Sequence, residues 1–330
     1  MKTIPLLEPL SDDLERVEQR LLEPVHADYP QLTAVLQNLL GSGGKRLRPA
    51  LALLAGSFYP TDRDKLVSLA ASVEMLHTAT LVHDDLIDGA LMRRGSTTVN
   101  ARWSMGATVL TGDYLFARAA ALAAETDHVR VMAIFANTLM VICSGELRQI
   151  FDRHNVPHLD GEDAWQVALA RYDERIDAKT ASLFSAATEA AGVLGEAPEA
   201  EIVALREYGR LLGMGFQIID DVLDFEGNQS VLGKPVGSDL REGIVTLPVL
   251  YFLRDHPNDD RIATVVQNGG DDEMVLQVVE AIRTSGAVSR ALDRAQDFVA
   301  RSQEQLSILP DAGSRATMHA LANYTISRQR

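Results

Sequence analysis

The chain has 330 residues, 46% of them hydrophobic, enough for one large core or two domains of ordinary size. Its 46 acidic and 31 basic side chains leave a formal net charge of −15, which argues against general nucleic-acid binding, because that needs a basic surface. The one cysteine, Cys143, excludes an intrachain disulfide and points to a reducing compartment. It sits in an apolar segment and reads as a core residue.

Met1 to Leu10 lacks the long apolar stretch of a secretory signal. No uninterrupted apolar run reaches the roughly 18 residues that suggest a membrane span. The best, Val131 to Cys143, is broken by Asn137. The expectation is a soluble cytoplasmic protein without a transmembrane segment.

In chain order, Ser11 to Leu22 has early acids and helical apolar spacing, with Ser11 a candidate cap. Tyr29 to Leu40 repeats the pattern until Gly41-Ser42-Gly43-Gly44 stops it. Lys45-Arg46-Leu47-Arg48-Pro49 follows, and helix resumes from Ala50 to Phe58. Pro60 and Asp62 mark a turn before a long helix, Lys65 to Ile87. Gly89 to Asn100 reads as a polar loop. Helices are expected over Ala107 to Ala124, Val129 to Phe151, Ala164 to Leu194 and Ala200 to Phe225. Glu226 to Asp239 is a Gly-rich loop. A further helix lies in Gly243 to Leu253, with Pro248 in its first turn, where proline is tolerated. Asp259 to Gln267, Asp272 to Ser285, Val288 to Leu306 and Ser314 to Arg328 complete the helical pattern. No stretch shows sustained alternation of the strand type. The chain reads as all-α, a bundle of ten or more helices, with no linker to divide it: one domain over 1–330.

Two acidic clusters stand out. Leu81 to Asp88 ends in Asp84, Asp85 and Asp88; Gly215 to Asp224 ends in Asp220, Asp221 and Asp224, with the same spacing. Residues four apart share a helix face, so Asp84 and Asp88 point one way, one turn apart. Crowded carboxylates repel unless a counter-charge arrives, and a hard ion such as Mg²⁺ takes carboxylate and phosphate oxygens together. A single acidic helix turn is usually a solvated surface. Two matching clusters, each closing a long apolar helix, fit better with two acidic walls facing across a cavity.

The bases are also concentrated. Lys45, Arg46 and Arg48 follow the Gly-rich turn, and Arg93 and Arg94 follow the first acids. Guanidinium forks match phosphate oxygens, and lysine adds a mobile charge. The alternative is that Arg94 and Arg48 simply neutralise nearby acids. Gly43-Gly44-Lys45-Arg46 is not a P-loop, because the glycine spacing is wrong and no Ser or Thr follows the lysine. His77 lies two turns before Asp84, placed either to donate to phosphate or to sit satisfied in the core. His83 reads as structural. The histidines and the cysteine make no zinc set. The residues together suggest an amphipathic substrate with a diphosphate head and an apolar tail.

At this point the chain resembles the trans-isoprenyl diphosphate synthases, the polyprenyl synthetase family. The resemblance rests on Gly43-Gly44-Lys45-Arg46-Leu47-Arg48-Pro49, on Asp84-Asp85-Leu86-Ile87-Asp88 with Arg93-Arg94-Gly95, and on Gly112-Asp113-Tyr114. It continues through Gly145-Glu146 with Gln149, Lys179-Thr180, and Gly215-Phe216-Gln217-Ile218-Ile219-Asp220-Asp221 with Asp224. Gly233-Lys234-Pro235 and Asp239-Leu240 complete it.

The resemblance implies the isoprenoid synthase type I fold, with a deep central cavity, and usually a homodimer. It implies a prenyltransferase that condenses an allylic diphosphate with isopentenyl diphosphate. Asp84 and Asp88 would bind two Mg²⁺ and Asp220 a third, with Asp85, Asp221 and Asp224 in support and Mn²⁺ as a substitute. Arg93, Lys179, Gln217 and Lys234 would hold the allylic diphosphate, with Thr180 orienting Lys179 or stabilising the cation. Lys45, Arg48, His77 and Arg94 would hold isopentenyl diphosphate. One position departs from the family pattern: Ile244 stands where many relatives have lysine.

The growing tail should run down the helix carrying Asp84. Ala79 and Thr80, just before the acids, are small where short-chain members often place an aromatic. The floor would then lie deeper, at Val73 or Leu76 or among Phe135, Leu139 and Met140, giving an all-trans product longer than about twenty carbons, roughly thirty to forty-five. Such a product would bring the protein near membranes. The competing readings are a short-chain synthase making farnesyl or geranylgeranyl diphosphate, a class I terpene cyclase, and a non-catalytic synthase subunit.

Overall fold

The structure is a computed structural model, and it describes residues 5–23, 30–41, 44–93, 95–226 and 236–327. Among these the chain is all-α apart from one two-residue hairpin. The helices are α1 (Ser11–Leu22), α2 (Pro30–Gly41), α3 (Leu47–Gly56), α4 (Arg63–Ile87), α5 (Met105–Ala124), α6 (Val129–Asp152), α7 (Gly161–Ile176) and α8 (Ser182–Leu194). They continue with α9 (Glu199–Glu226), α10 (Ser238–Arg241), α11 (Leu247–Asp255), α12 (Asp260–Asn268), α13 (Asp272–Thr284), α14 (Ala287–Gln305) and α15 (Gly313–Ser327). The described residues fall into two compact units. The first draws on the chain up to Thr138, on Leu183–Gly209 and on Gln305–Leu321; the second draws on Leu139–Ser182, on Arg210–Glu304 and on the chain from Ala322.

In the first unit α4 is the central element. The Asp62 carboxylate accepts from the amides of Asp64 and Lys65 at 2.9 and 3.3 Å, capping the helix start. From Leu66 to Ala79 the helix is buried nearly all round, as expected of a helix without a polar face. It packs against α1, α3 and α5. Small residues let the backbones come close: a Cβ on Gly56 would strike the Leu66 side chain. The Ser72 hydroxyl donates to the Ala119 carbonyl at 2.8 Å, tying α4 to α5. In the second unit Trp165, Tyr172, Ile176, Ile218, Phe225, Val249 and Phe298 belong to one apolar core. Burying each side chain of this size contributes about 1.5–3 kcal/mol before chain entropy is counted.

Four local expectations are corrected. A 3₁₀ turn, Pro5–Leu10, precedes α1, and Ser11 is its first helical residue rather than its cap. Met92–Arg93 and Ser96–Thr97 pair antiparallel inside the segment read as a loop. The single helix expected over Ala164 to Leu194 is interrupted by a π-turn, Asp177–Ala181. Helix α6 runs 24 residues and, by length and composition, is apolar enough to cross a membrane, as α4 is; α4 is mostly buried and α6 mostly exposed. Cys143, expected in a core, is exposed on α6, because the apolar residues there continue around the helix beyond its packed side.

Candidate active site

The last turn of α4 carries the first acids. Gly89, at φ 64°, ends the helix in the left-handed conformation that glycine adopts freely. The chain then turns back through the hairpin, and Arg93 Nε donates to Asp85 Oδ1 at 2.6 Å. The Thr98 hydroxyl and the Asn100 amide both donate to the Ala90 carbonyl, fastening the hairpin to the end of α4. Asp85 is 5% exposed. Burial pushes its carboxyl above the usual range, Arg93 pulls it back, and Asp88 adds to the rise. Asp84 and Asp88 are half-buried. The cluster is thus divided, with one acid committed to an arginine and two standing nearer the solvent.

His77 is half-buried two turns earlier and lines an open cleft of about 820 Å³ with Glu74, Thr78, Asp85, Arg93 and Arg102. His83 is held structurally. Its Nε2 lies 3.1 Å from the Val109 carbonyl, its ring meets Phe116 edge-on, and a Cβ on Gly112 would strike the imidazole at 2.1 Å. Of the basic loop, Lys45 is exposed and Arg48 is half-buried with its guanidinium 4.7 Å over the Phe184 ring. Arg46 is buried and pairs with Glu18 and Glu74. Gly43, Arg94, Gly233, Lys234 and Pro235 lie outside the described residues.

Below the acids, Ala79 is fully buried, and the half-buried Thr80 donates its hydroxyl to the His77 carbonyl at 2.7 Å. Deeper still, a separate apolar pocket of about 290 Å³ is lined by Leu69, Val73 and Leu76 of α4, Ile134 and Phe135 of α6, and Leu183 and Ala186 of α8. Met140 does not reach it and is 62% exposed.

In the second unit the end of α9 carries Asp220, Asp221 and Asp224. Asp221 is fully enclosed in a hydrogen-bonded chain. Tyr172 Oη donates to its Oδ2 at 2.6 Å, Gln217 Nε2 donates to its Oδ1 at 2.9 Å, and the Thr180 hydroxyl donates to Gln217 Oε1 at 2.6 Å. Burial raises the Asp221 carboxyl to about 6, against the pull of Tyr172 and Gln217. Burial also lifts the Tyr172 phenol well above its ordinary value, so it stays a donor. Asp224, 1% exposed, accepts from the Ser238 amide and hydroxyl at 3.2 and 2.6 Å and from the Asp239 amide at 3.1 Å. Asp220 is half-buried.

Lys179 and Thr180 both sit in the π-turn, a distortion that often marks functional positions. Lys179 Nζ reaches Glu146 Oε1 of α6 at 2.8 Å. A Cβ on Gly145 would lie 2.7 Å from the Ala178 Cβ, so the missing side chain is what lets α6 approach the turn. Among the described residues no three His, Cys, Asp or Glu side chains stand together as a ready-made metal set. The donor chemistry still fits a hard cation: in each cluster the acids are oxygen donors, the buried ones are bonded to protein, and Asp84, Asp88 and Asp220 are the more accessible.

The model of the polyprenyl synthetase family matches residues 29–282. The chain belongs to the polyprenyl synthetase family. It is 38% identical over 98% of both chains to heptaprenyl diphosphate synthase component 2 of Geobacillus stearothermophilus. A polyprenyl synthase from Caulobacter crescentus, solved with calcium and isoprenyl diphosphate, is 35% identical with a TM-score of 0.90, covering 98% of this chain and 97% of that one. A decaprenyl diphosphate synthase from Rhodobacter capsulatus is 37% identical with a TM-score of 0.87, covering 98% of each. Other relatives carry names that span product lengths, octaprenyl and short-chain among them. The fold is the all-α isoprenoid synthase type I architecture, and the protein is a trans-prenyltransferase acting with isopentenyl diphosphate.

Three features of this polyprenyl synthetase escaped the reading of its sequence: the Tyr172 donor, the Glu146–Lys179 pair, and the inward Arg46. A signal existed for the last. Glu74 is a lone acid in an apolar stretch of α4, and a buried carboxylate requires a partner.

Proposed function

We propose that the chain works as one synthase domain that elongates an allylic diphosphate with isopentenyl diphosphate to an all-trans polyprenyl diphosphate longer than about twenty carbons. The observation that carries the length is the face of α4. Asp84, Thr80, Leu76, Val73 and Leu69 recur at helical spacing, and the apolar pocket begins only at Leu76 and Val73. At about 1.5 Å per residue, that level lies roughly 12–16 Å down the helix from Asp84, with small residues between. The tail of the proposed product, roughly thirty to forty-five carbons, would pass this level and continue beyond it.

Asp84, Asp88 and Asp220 would hold three Mg²⁺, for which Mn²⁺ can substitute; calcium accompanies isoprenyl diphosphate in the Caulobacter protein. These ions would neutralise the diphosphate as the allylic C–O bond breaks. Asp85, Asp221 and Asp224 are bonded within the protein and would support the ligands. Arg93, Lys179, Gln217 and Lys234 would bind the allylic diphosphate and take up its growing charge. Lys45, Arg48, His77 and Arg94 would hold isopentenyl diphosphate with its double bond towards the allylic carbon. The double bond attacks that carbon, and a proton leaves to the departing diphosphate. Water must stay out, or the cation is quenched to an alcohol. The exposed apolar faces of α5 and α6 suit a second copy of the chain, and a homodimer in the cytoplasm is the working form proposed.

The test is a product-length assay with Mg²⁺, labelled isopentenyl diphosphate and dimethylallyl, geranyl or farnesyl diphosphate. Products beyond twenty carbons are expected, shortened by Thr80→Phe and lengthened by Phe135→Ala. A wild-type stop at fifteen or twenty overturns the length, and an unchanged product in both variants overturns the route along α4.

A further inference from the structure

Arg46 is the cation of the basic loop that is buried and committed to ion pairs within the protein. Lys45 is exposed and Arg48 half-buried, while Arg46 is 7% exposed. Its backbone lies in the left-handed region, φ 48° and ψ 36°, at the residue preceding α3. A non-glycine side chain holds that conformation only when its surroundings constrain it. Here the constraint is explicit. Nη1 donates to Glu74 Oε1 at 2.6 Å, and Nε and Nη2 donate to the two oxygens of Glu18 at 2.5 and 3.1 Å. Nη2 also donates to the Leu40 carbonyl at 2.8 Å, near the end of α2. One guanidinium therefore joins α1, α2 and α4 to the start of α3. Glu74 is three residues before His77 on α4, and Arg46 and Glu74 wall the same cleft as His77, Asp85 and Arg93.

We propose that Arg46 is a positioning residue for the isopentenyl diphosphate site, clamping the loop so that Lys45 and Arg48 keep a fixed placement relative to His77. The inference rests on the assignment of Lys45 and Arg48 given above. A buried ion pair is weak evidence for stability, since apolar groups of similar volume often replace one without loss; fixing a register is its better-attested use. Lysine cannot reproduce the guanidinium fork. Burial alone disfavours the Arg46 charge, but Glu74 and Glu18 outweigh it and keep the guanidinium protonated.

The experiment measures KM for both substrates and kcat for Arg46→Lys, Glu74→Gln and Glu18→Gln, with circular dichroism to establish folding. Lys45→Ala and Arg48→Ala are run alongside. The expected result is a rise of about tenfold or more in KM for isopentenyl diphosphate, with KM for the allylic diphosphate within about twofold of wild type. Arg46→Lys should retain more of the affinity than Arg46→Met. A purely structural pair would lower the melting temperature and leave that KM difference absent, which overturns the proposal. If Arg46→Lys fails to fold, Glu18→Gln decides, because Glu18 holds the more exposed side of the fork. If Lys45→Ala and Arg48→Ala leave KM unchanged, the assignment falls and the inference with it. If they raise KM while folded Arg46 and Glu74 variants do not, the inference alone falls.

Discussion

Tyr172→Phe removes a buried donor and keeps nearly all of the ring's packing. Asp221 then loses one of the two side-chain donors that hold its carboxylate, in a place water does not reach. Leaving a buried acceptor short of a partner costs about 1–3 kcal/mol, so the melting temperature should fall. The carboxylate that accepts from Gln217, which in turn accepts from Thr180, is then held through one oxygen only, so kcat should drop more than either KM changes. Calorimetry and steady-state kinetics check the two effects; an unchanged kcat at a lowered melting temperature would make Tyr172 structural only. At this scale the sequence places six acids in two clusters and is silent about how their burial divides. The spacing of Asp84, Asp85 and Asp88 places them on one helix end, but burial of Asp85 depends on Arg93 folding back eight residues later. Burial of Asp221 depends on a tyrosine 49 residues earlier in the chain. No local pattern carries such pairings.

Helices show the opposite balance. The stretch expected from Lys65 to Ile87 is found as Arg63–Ile87, and that expected from Ala200 to Phe225 as Glu199–Glu226. Apolar spacing and end signals such as Asp62 determine such elements locally. The π-turn at Lys179 was not legible, because one extra residue in a helical turn leaves the apolar period almost intact. Gly145 offers a test of that element. A glycine inside a helix costs about 1 kcal/mol relative to alanine, so Gly145→Ala should stabilise an open position. Here the added Cβ meets Ala178 at 2.7 Å, with the π-turn backbone behind it. Overpacking of this kind typically costs about 1–3 kcal/mol. The expected outcome is therefore no net gain in stability, together with a weakened Glu146–Lys179 contact and a KM for the allylic diphosphate raised severalfold. A stabilised variant with unchanged kinetics would show that the close approach of α6 to the turn is dispensable.

For the molecule as a whole, the charge of −15 and the apolar α6 pull in opposite directions. Like-charged molecules repel, and a second copy associates only where apolar burial overcomes that repulsion. On α6, Met140 is 62%, Leu147 54% and Phe151 75% exposed, at spacings that share one helix face. Contiguous exposed apolar residues of this size mark an interaction surface. Leu147→Glu adds a charge to that face, and in a two-fold dimer it appears in both copies. Sedimentation should then show monomer where the wild type is dimeric, at micromolar concentration and moderate salt. Added salt screens the general repulsion but restores none of the lost apolar contact, so the variant should remain monomeric at high ionic strength. A variant that stays dimeric moves the interface off this face of α6. A wild type that is monomeric at every concentration leaves the face to a different chain.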